Sequence, residues 1–248
     1  MVKTRAEIEK LRIACRICKT ILVELGDTIK AGITTYDIEE RGDRLIEKNG
    51  VVSAFRNYNG YPAGLCVSVN EEVVHGIPSS DRVLKDGDIV SLDIGVIYDG
   101  YYADCADTFP VGRVKEIHSR IIEVARESFS AGISKALPER KIGDIGAAIE
   151  KFVTGRRFSV VREFAGHGIG KELHEYPEIP NFGQPGTGET IRENMVLAVE
   201  PMINESRAAV KILSDGWTVV TRDGGYSAHY ENCILIGSNG PEILTVAG

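Results

Sequence analysis

Nowhere does this chain carry the roughly 20 consecutive apolar residues that a membrane-spanning helix needs. Its start, Met1-Val-Lys-Thr-Arg-Ala-Glu-Ile-Glu-Lys10, is charged and amphipathic and holds no apolar secretory core. These absences set the expectation of a cytoplasmic protein with no membrane partner. Cysteine is sparse: five residues, an odd number scattered through 248, do not build the disulfide framework that staples small secreted domains. A basic surplus is missing too. Lys and Arg total 29 against 36 Asp and Glu, a net charge of −7, which argues against specific nucleic-acid binding.

What is present is ordinary in bulk. Fractions of 43% hydrophobic and 26% charged residues suit a globular chain, either one large domain or two intimately packed halves. Residues 5–25 follow a helical apolar period, broken by Gly26 and Gly32. Thr34 or Thr35 caps a second helix that runs to about Lys48, where Asn49-Gly50 ends it. Strand-like text at Val51–Phe55 and Leu65–Asn70 flanks an aromatic, turn-rich loop at 57–62. Further helices are expected over about Lys115–Leu137 and Ile142–Thr154, then a strand at Phe158–Arg162. Cys15 and Cys18 share one face of the first helix with Leu11 and Leu22. Core packing is therefore expected of them rather than zinc or redox chemistry.

That order of elements repeats. Asp37-Ile38 and Asp144-Ile145 align, as do Glu9 and Glu116, at a common offset of about 107 residues. Two halves, about 1–112 and 113–248, would join their strands into one antiparallel-rich sheet with helices on its outer face, an α+β architecture.

The chemistry is concentrated in five islands. The central one, Asp88–Pro110, has β-branched text on both sides of Asp99-Gly100, a strong hairpin signal. Folded there, Asp93 and Asp104 fall on adjacent strands, although Asp is depleted in strands and a buried carboxylate is costly unless paired or coordinated. His75 follows a strand and precedes a Gly and Pro turn, while His167 is flanked by glycines that let the backbone approach a bound group. His174 follows shortly after. Glu200 ends one apolar strand and Glu231 begins another. Four carboxylates and an imidazole at strand ends suit two divalent cations with oxygen-rich ligation.

In this order and spacing, His75-Gly-Ile-Pro78, Asp93 and Asp104, Gly166-His-Gly-Ile-Gly170, Glu200-Pro-Met202 and Glu231 resemble the methionine aminopeptidases, which share the pita-bread fold. The short spacing on both sides of Glu200 leaves no room for the helical insertion of type 2 enzymes, so the resemblance is to type 1. No Cys/His-rich zinc-binding extension precedes the match, which points to a bacterial-like or organellar form. The resemblance implies that Asp104 and Glu231 bridge two metals, that Asp93 chelates one, and that His167 and Glu200 complete the other. It implies that His75 and His174 act on substrate without ligating metal, with Glu200 as proton acceptor. Co, Mn, Fe, Zn and Ni all suit such a site. It further implies a methionine pocket from Tyr58, Tyr61, Cys66 and Trp217, and a monovalent cation near Asn70, Glu72 and Ser227. Trp217 also opens the strand text Trp217-Thr-Val-Val, where ordinary core packing is equally open.

Some positions depart from the commoner family pattern. Leu173 stands where an aromatic often closes the pocket, Tyr176 where an acidic residue is frequent, and Asn232-Cys233 follows Glu231. The implied substrates are nascent polypeptide N-termini, met at the ribosome, with a small second residue. The chain's own Met1-Val2 qualifies, and a monomer is expected. Two kinds of relative act differently. Proline-specific peptidases carry a large additional N-terminal domain, and non-enzymatic binding proteins have lost the ligands.

Overall fold

The computed structural model describes residues 2–247, so the Met1-Val2 bond lies outside the described residues. Among the described residues the chain forms four helices, α1 (Arg5–Gly26), α2 (Thr35–Lys48), α3 (Glu116–Ile133) and α4 (Ile142–Thr154). The strands are β1 (Val52–Ser53), β2 (Cys66–Val69), β3 (Glu72–Val74), β4 (Ile89–Tyr98), β5 (Tyr101–Pro110), β6 (Ser159–Val160), β7 (Ala165–Gly168), β8 (Glu175–Pro180), β9 (Val196–Val199), β10 (Met202–Asn204), β11 (Val210–Ile212), β12 (Val219–Thr221), β13 (Ser227–His229), β14 (Glu231–Gly237) and β15 (Gly240–Ile243).

One antiparallel sheet of nine strands dominates. Its main path is β1-β4-β5-β14-β9-β7-β8, with β2 added on β4 and β15 on β14. Two three-stranded ribbons, β13-β10-β6 and β11-β12-β3, complete the strand structure. This is the expected α+β, pita-bread architecture. The expected hairpin is present in full: ten residues of β4 pair with ten of β5 around Asp99-Gly100, both at positive φ.

Helix α1 starts at a reciprocal cap, in which the Thr4 backbone N–H donates to Glu7 Oε2 at 2.8 Å and the Glu7 N–H donates to Thr4 Oγ1 at 3.4 Å. Its inner face, Leu11, Ala14, Cys15, Cys18, Leu22 and Leu25, is buried in a core shared with β2, β4 and β5. Each leucine placed there contributes about 1.5–3 kcal/mol relative to exposure. A second core forms between α3, α4 and the strands β9 and β14. Asp37 and Asp144 occupy equivalent places: each accepts from the backbone N–H of the residue three before it, Thr34 at 2.7 Å and Lys141 at 3.0 Å.

Several expected elements are shorter than the sequence suggests: the strand text at Val51–Phe55 forms a strand only over Val52–Ser53, and that at Leu65–Asn70 only over Cys66–Val69. Helix α3 ends at Ile133 rather than Leu137, since Pro138 disfavours helical backbone at the residue before it and the chain tightens into turns over 133–136. The strand expected at 158–162 reduces to Ser159–Val160. Arg162 faces solvent instead, over the Phe182 ring and paired with Glu150.

Candidate metal centre

Strand register assembles the centre. Cys66 on β2 pairs with Asp93 on β4, Asp93 pairs with Ala106 on β5, and Ala106 pairs with Glu231 on β14. Asp104 lies two residues from Ala106 along β5 and so shares its face. From the other side, His167 on β7 pairs with Ala198 on β9, and Glu200 follows that strand directly. The small side chains of Ala106 and Ala198 keep the row from being filled. The two glycines around His167 are needed for this close assembly: a Cβ on Gly166 would come 2.4 Å from the Ala198 carbonyl oxygen, and one on Gly168 2.5 Å from that of Tyr176.

Electrostatics mark the same place. Burial pushes the carboxyls of Asp93, Asp104, Glu200 and Glu231 well above the ordinary carboxylate range, and mutual repulsion adds to it for Asp104, Glu200 and Glu231. Asp93 Oδ1, Asp104 Oδ1 and Glu231 Oε1 are buried and lack any hydrogen-bond partner. Acceptor atoms this buried and this crowded are satisfied by cations. The donor atoms of Asp104, His167 and Glu231 all lie within 4.8 Å of one another, as do those of Glu200, His229 and Glu231. These groups share Glu231, and their oxygen and imidazole donors suit divalent ions; Asp93 falls in neither group, His167 and Glu200 fall in different ones, and His229 joins without having been expected as a ligand.

His167 is prepared as a donor of electrons. Its Nδ1 lies 2.9 Å from the Gly168 carbonyl oxygen, which can only accept, so Nδ1 carries the proton and Nε2 keeps its lone pair. That Nε2 sits 3.6 Å from Glu200 Oε1. Burial pulls the imidazole pKa to about 4, with His174 contributing, which leaves the ring neutral. The Glu200 backbone is held through its carbonyl, which accepts from Asn181 Nδ2 at 3.0 Å.

A cleft of about 780 Å³ opens onto the centre, and all five candidate ligands line it. So do His75, His174, Tyr58, Tyr61, Cys66 and Trp217. His75 adopts φ +60°, a left-handed conformation unusual for a residue other than glycine, and its ring meets Phe164 and Trp217 edge-on at 5.6 and 6.2 Å. Burial lowers its pKa to about 4. Tyr61 donates to the carbonyls of Leu65 and Gly76 at 3.2 and 3.0 Å and packs edge-on against Trp217 at 5.2 Å. Trp217 combines both of its open readings, since it is half-buried against the core and also walls the cleft. Leu173 is 2% exposed and closes the same wall. Tyr176 is at the cleft mouth and donates to Glu189 at 3.0 Å.

The residues expected around a monovalent cation are engaged with protein. The Asn70 side chain donates to Asp88 at 2.8 Å and accepts from the Ile89 N–H, and Glu72 accepts from the Val69 N–H at 2.7 Å. Asn70 and Ser227 do meet, through a 2.8 Å bond from the Ser227 N–H to the Asn70 carbonyl.

Among the cleft residues that the sequence did not single out is His229. It is 2% exposed and its Nε2 lacks a partner, 3.8 Å from Glu200 Oε2 and 3.9 Å from Glu231 Oε2. Burial pulls its pKa to about 3, so these approaches are not ion pairs. Its place two residues before Glu231 was the one signal in the sequence. Phe55 and Phe164, which also line the cleft, carry no comparable sequence mark.

Comparison with known proteins agrees with this geometry. The model of metallopeptidase family M24 matches residues 9–238. A methionine aminopeptidase of Clostridium acetobutylicum is 46% identical over 246 residues, covering 99% of this chain and 98% of the relative. The crystal structure of a methionine aminopeptidase from Thermotoga maritima superposes with a TM-score of 0.97 at 44% identity, covering 99% and 98% of the two chains. A prolidase from Pyrococcus furiosus shares the fold at TM-score 0.79 and 23% identity, with this chain covering 66% of it. The chain belongs to metallopeptidase family M24, among its methionine aminopeptidases.

Proposed function

We infer that the chain removes the initiator methionine from nascent proteins and peptides by metal-dependent hydrolysis, when the second residue is small. The observation that carries this reading is the joining of a partnerless, buried carboxylate cluster to a cleft walled by Tyr61, Cys66, Leu173 and Trp217. An apolar, aromatic slot of this kind suits a thioether side chain.

Asp93, Asp104, His167, Glu200 and Glu231 would hold two divalent ions, drawn from Co, Mn, Fe, Zn or Ni. Such ions lower the pKa of a shared water and polarise a carbonyl, and aminopeptidases are among the standing examples of two-metal sites. The chain's own groups supply the rest. Glu200 accepts the proton of the attacking water and passes it to the departing amine. His174 donates a hydrogen bond to the scissile carbonyl as negative charge develops there, and His75 orients the amide. Tyr58, Tyr61, Cys66 and Trp217 hold the methionine side chain.

Further parts of the reading rest on family likeness. One catalytic domain, 1–248, comprises halves at about 1–112 and 113–248; the matching caps at Asp37 and Asp144 support this. The protein works as a cytoplasmic monomer on chains emerging from the ribosome, without nucleic-acid specificity. Among the described residues, no helix is long and apolar enough to cross a membrane. A monovalent cation near Asn70, Glu72 and Ser227 would bind through backbone carbonyls, given that the side chains are engaged.

The deciding experiment compares hydrolysis of Met-Ala-Ser, Leu-Ala-Ser and Ala-Pro peptides by metal-stripped protein after addition of each divalent ion. Metal-restored cleavage of Met-Ala-Ser is expected. Preference for Ala-Pro would transfer the protein to the proline-specific relatives.

A further inference from the structure

The two histidines at the heart of the cleft pack edge to face, with ring centroids 4.4 Å apart, yet their Nδ1 atoms face opposite kinds of partner. His167 Nδ1 meets a carbonyl oxygen, Gly168 O. His174 Nδ1 meets a phenol, Tyr58 Oη, at 2.6 Å. A carbonyl can only accept, whereas a phenol is a good donor and a poor acceptor and an imidazole nitrogen is the better acceptor of that pair. The same ring position is therefore protonated in His167 and unprotonated in His174. It follows that Nε2 is a lone pair in His167 and an N–H in His174.

We propose that Tyr58 is a positioning residue: its hydroxyl donates to His174 Nδ1 and so fixes the tautomer whose Nε2–H serves the scissile carbonyl. This deepens the peptidase reading and rests on it. A neutral imidazole has a single N–H, and without a partner at Nδ1 the ring divides its population between two tautomers and several orientations. Only the Nε2–H form, correctly turned, can donate from that nitrogen to the substrate.

The backbone around Tyr58 is built to hold it. Asn57 and Asn59, on either side, both adopt left-handed φ, +66° and +49°, a conformation that asparagine tolerates better than most residues. The short 3₁₀ turn Tyr58–Gly60 is closed by bonds from the Tyr58 N–H to Phe55 O at 2.8 Å and from the Tyr61 N–H to Tyr58 O at 2.9 Å. The Asn57 N–H returns to Tyr61 O at 2.8 Å. The Tyr58 and His174 rings are also in contact, with centroids 5.3 Å apart. Nothing in a mere pocket wall requires that hydroxyl, because the aromatic ring alone supplies apolar surface.

Y58F separates the two roles by removing the hydroxyl and keeping the ring. On Met-Ala-Ser, kcat is expected to fall on the order of tenfold or more, in line with losses of groups that orient a functional histidine, with KM and metal stoichiometry unchanged. In the H174A background, Y58F should cost nothing further. Long-range ¹H–¹⁵N spectra of the zinc-loaded protein should show His174 protonated at Nε2, with the Nδ1–H form appearing in Y58F. A wild-type His174 protonated at Nδ1 would overturn the proposal, as would an unchanged kcat in Y58F or a loss carried wholly by KM. Should the wild type fail to cleave Met-Ala-Ser at all, the peptidase reading falls, and the spectra still decide the tautomer.

Discussion

Asp93 and Asp104 are not directly opposed across their hairpin: Asp104 faces Gly95 and Asp93 faces Ala106. The offset of two residues keeps both carboxylates on one face while setting them diagonally, a separation of about 7–8 Å between backbones that long or polar side chains can still bridge. The offset also brings Glu231 level with Asp93 on the far side of Ala106. Gly95 has a second effect, since a Cβ there would lie 2.5 Å from the Phe55 ring. Its absence admits Phe55 to the cleft wall.

On the proposed two-metal assignment, Asp104 and Glu231 are needed as anions. D104N and E231Q preserve shape but remove the charge needed to hold two cations together, so activity should be abolished while the fold persists. Elemental analysis and circular dichroism of each variant, beside turnover, check this. Near wild-type turnover with full metal occupancy would defeat the two-metal assignment.

The histidines should divide by role. H174A is expected to lower turnover by roughly 10²-fold or more with little loss of metal, as for a donor to developing charge. H167A should instead weaken metal binding, readable by calorimetric titration. Metal loss in H174A alone would mean that the roles are exchanged.

Metal removal should expose an unusual pH dependence of stability. Burial raises the folded-state pKa of Asp93 to about 7, and those of Asp104, Glu200 and Glu231 also lie above their unfolded values. The folded, cation-free protein thus keeps protons that the unfolded chain has released. The contribution of these carboxyls is fully present below the unfolded values near 4, falls as pH rises from there, and for Asp93 is fully lost once pH passes about 7, while the other three go on losing stability above it. In EDTA, Tm should fall between pH 7 and pH 9, above the range in which the buried neutral rings of His75, His167 and His229 add stability as the unfolded imidazoles lose their protons. In excess divalent cation the trend should reverse, because binding requires deprotonated ligands. Thermal melts across that range test both arms, and a Tm that rises with pH in EDTA would contradict the burial of uncompensated carboxylates.

The sequence marked the five islands because Asp93 and Asp104 are costly in strand text, His75 and His167 stand beside turn glycines, and Glu200 and Glu231 stand at the ends of apolar strands. The register of that hairpin follows from its turn: two residues at Asp99-Gly100 set Tyr98 against Tyr101 and therefore Asp93 against Ala106. Long-range pairings were hidden. Tyr58 and His174 are 116 residues apart in the chain, and no local pattern predicts their bond. The same holds for Cys18, whose sulfur lies 3.2 Å from that of Cys105. Core packing was the right expectation for Cys18, but its partner is another thiol on β5. Pro138, by contrast, could have shortened α3 on paper.

Selectivity is expected to be strict past the scissile bond and looser at the methionine side chain. His75 and His174 line the cleft beside the centre, and their crowding is expected to favour a small second residue such as Gly, Ala, Ser, Thr, Pro, Val or Cys. On the methionine side, Leu173 is buried in the wall where a larger aromatic would narrow the slot. A single methylene in an apolar pocket is worth only about 1–3 kcal/mol. Met should therefore beat norleucine modestly, and Ala or charged residues by a wide margin. L173F should tighten the slot and raise the ratio of Met to norleucine cleavage. The measurement is kcat/KM over Met-X-Ser peptides, with X from Gly to Phe and Lys, in the wild type and in L173F. Equal rates for Met-Ala-Ser and Met-Lys-Ser would refute crowding by the two histidines, and an unchanged Met to norleucine ratio in L173F would remove Leu173 from the pocket.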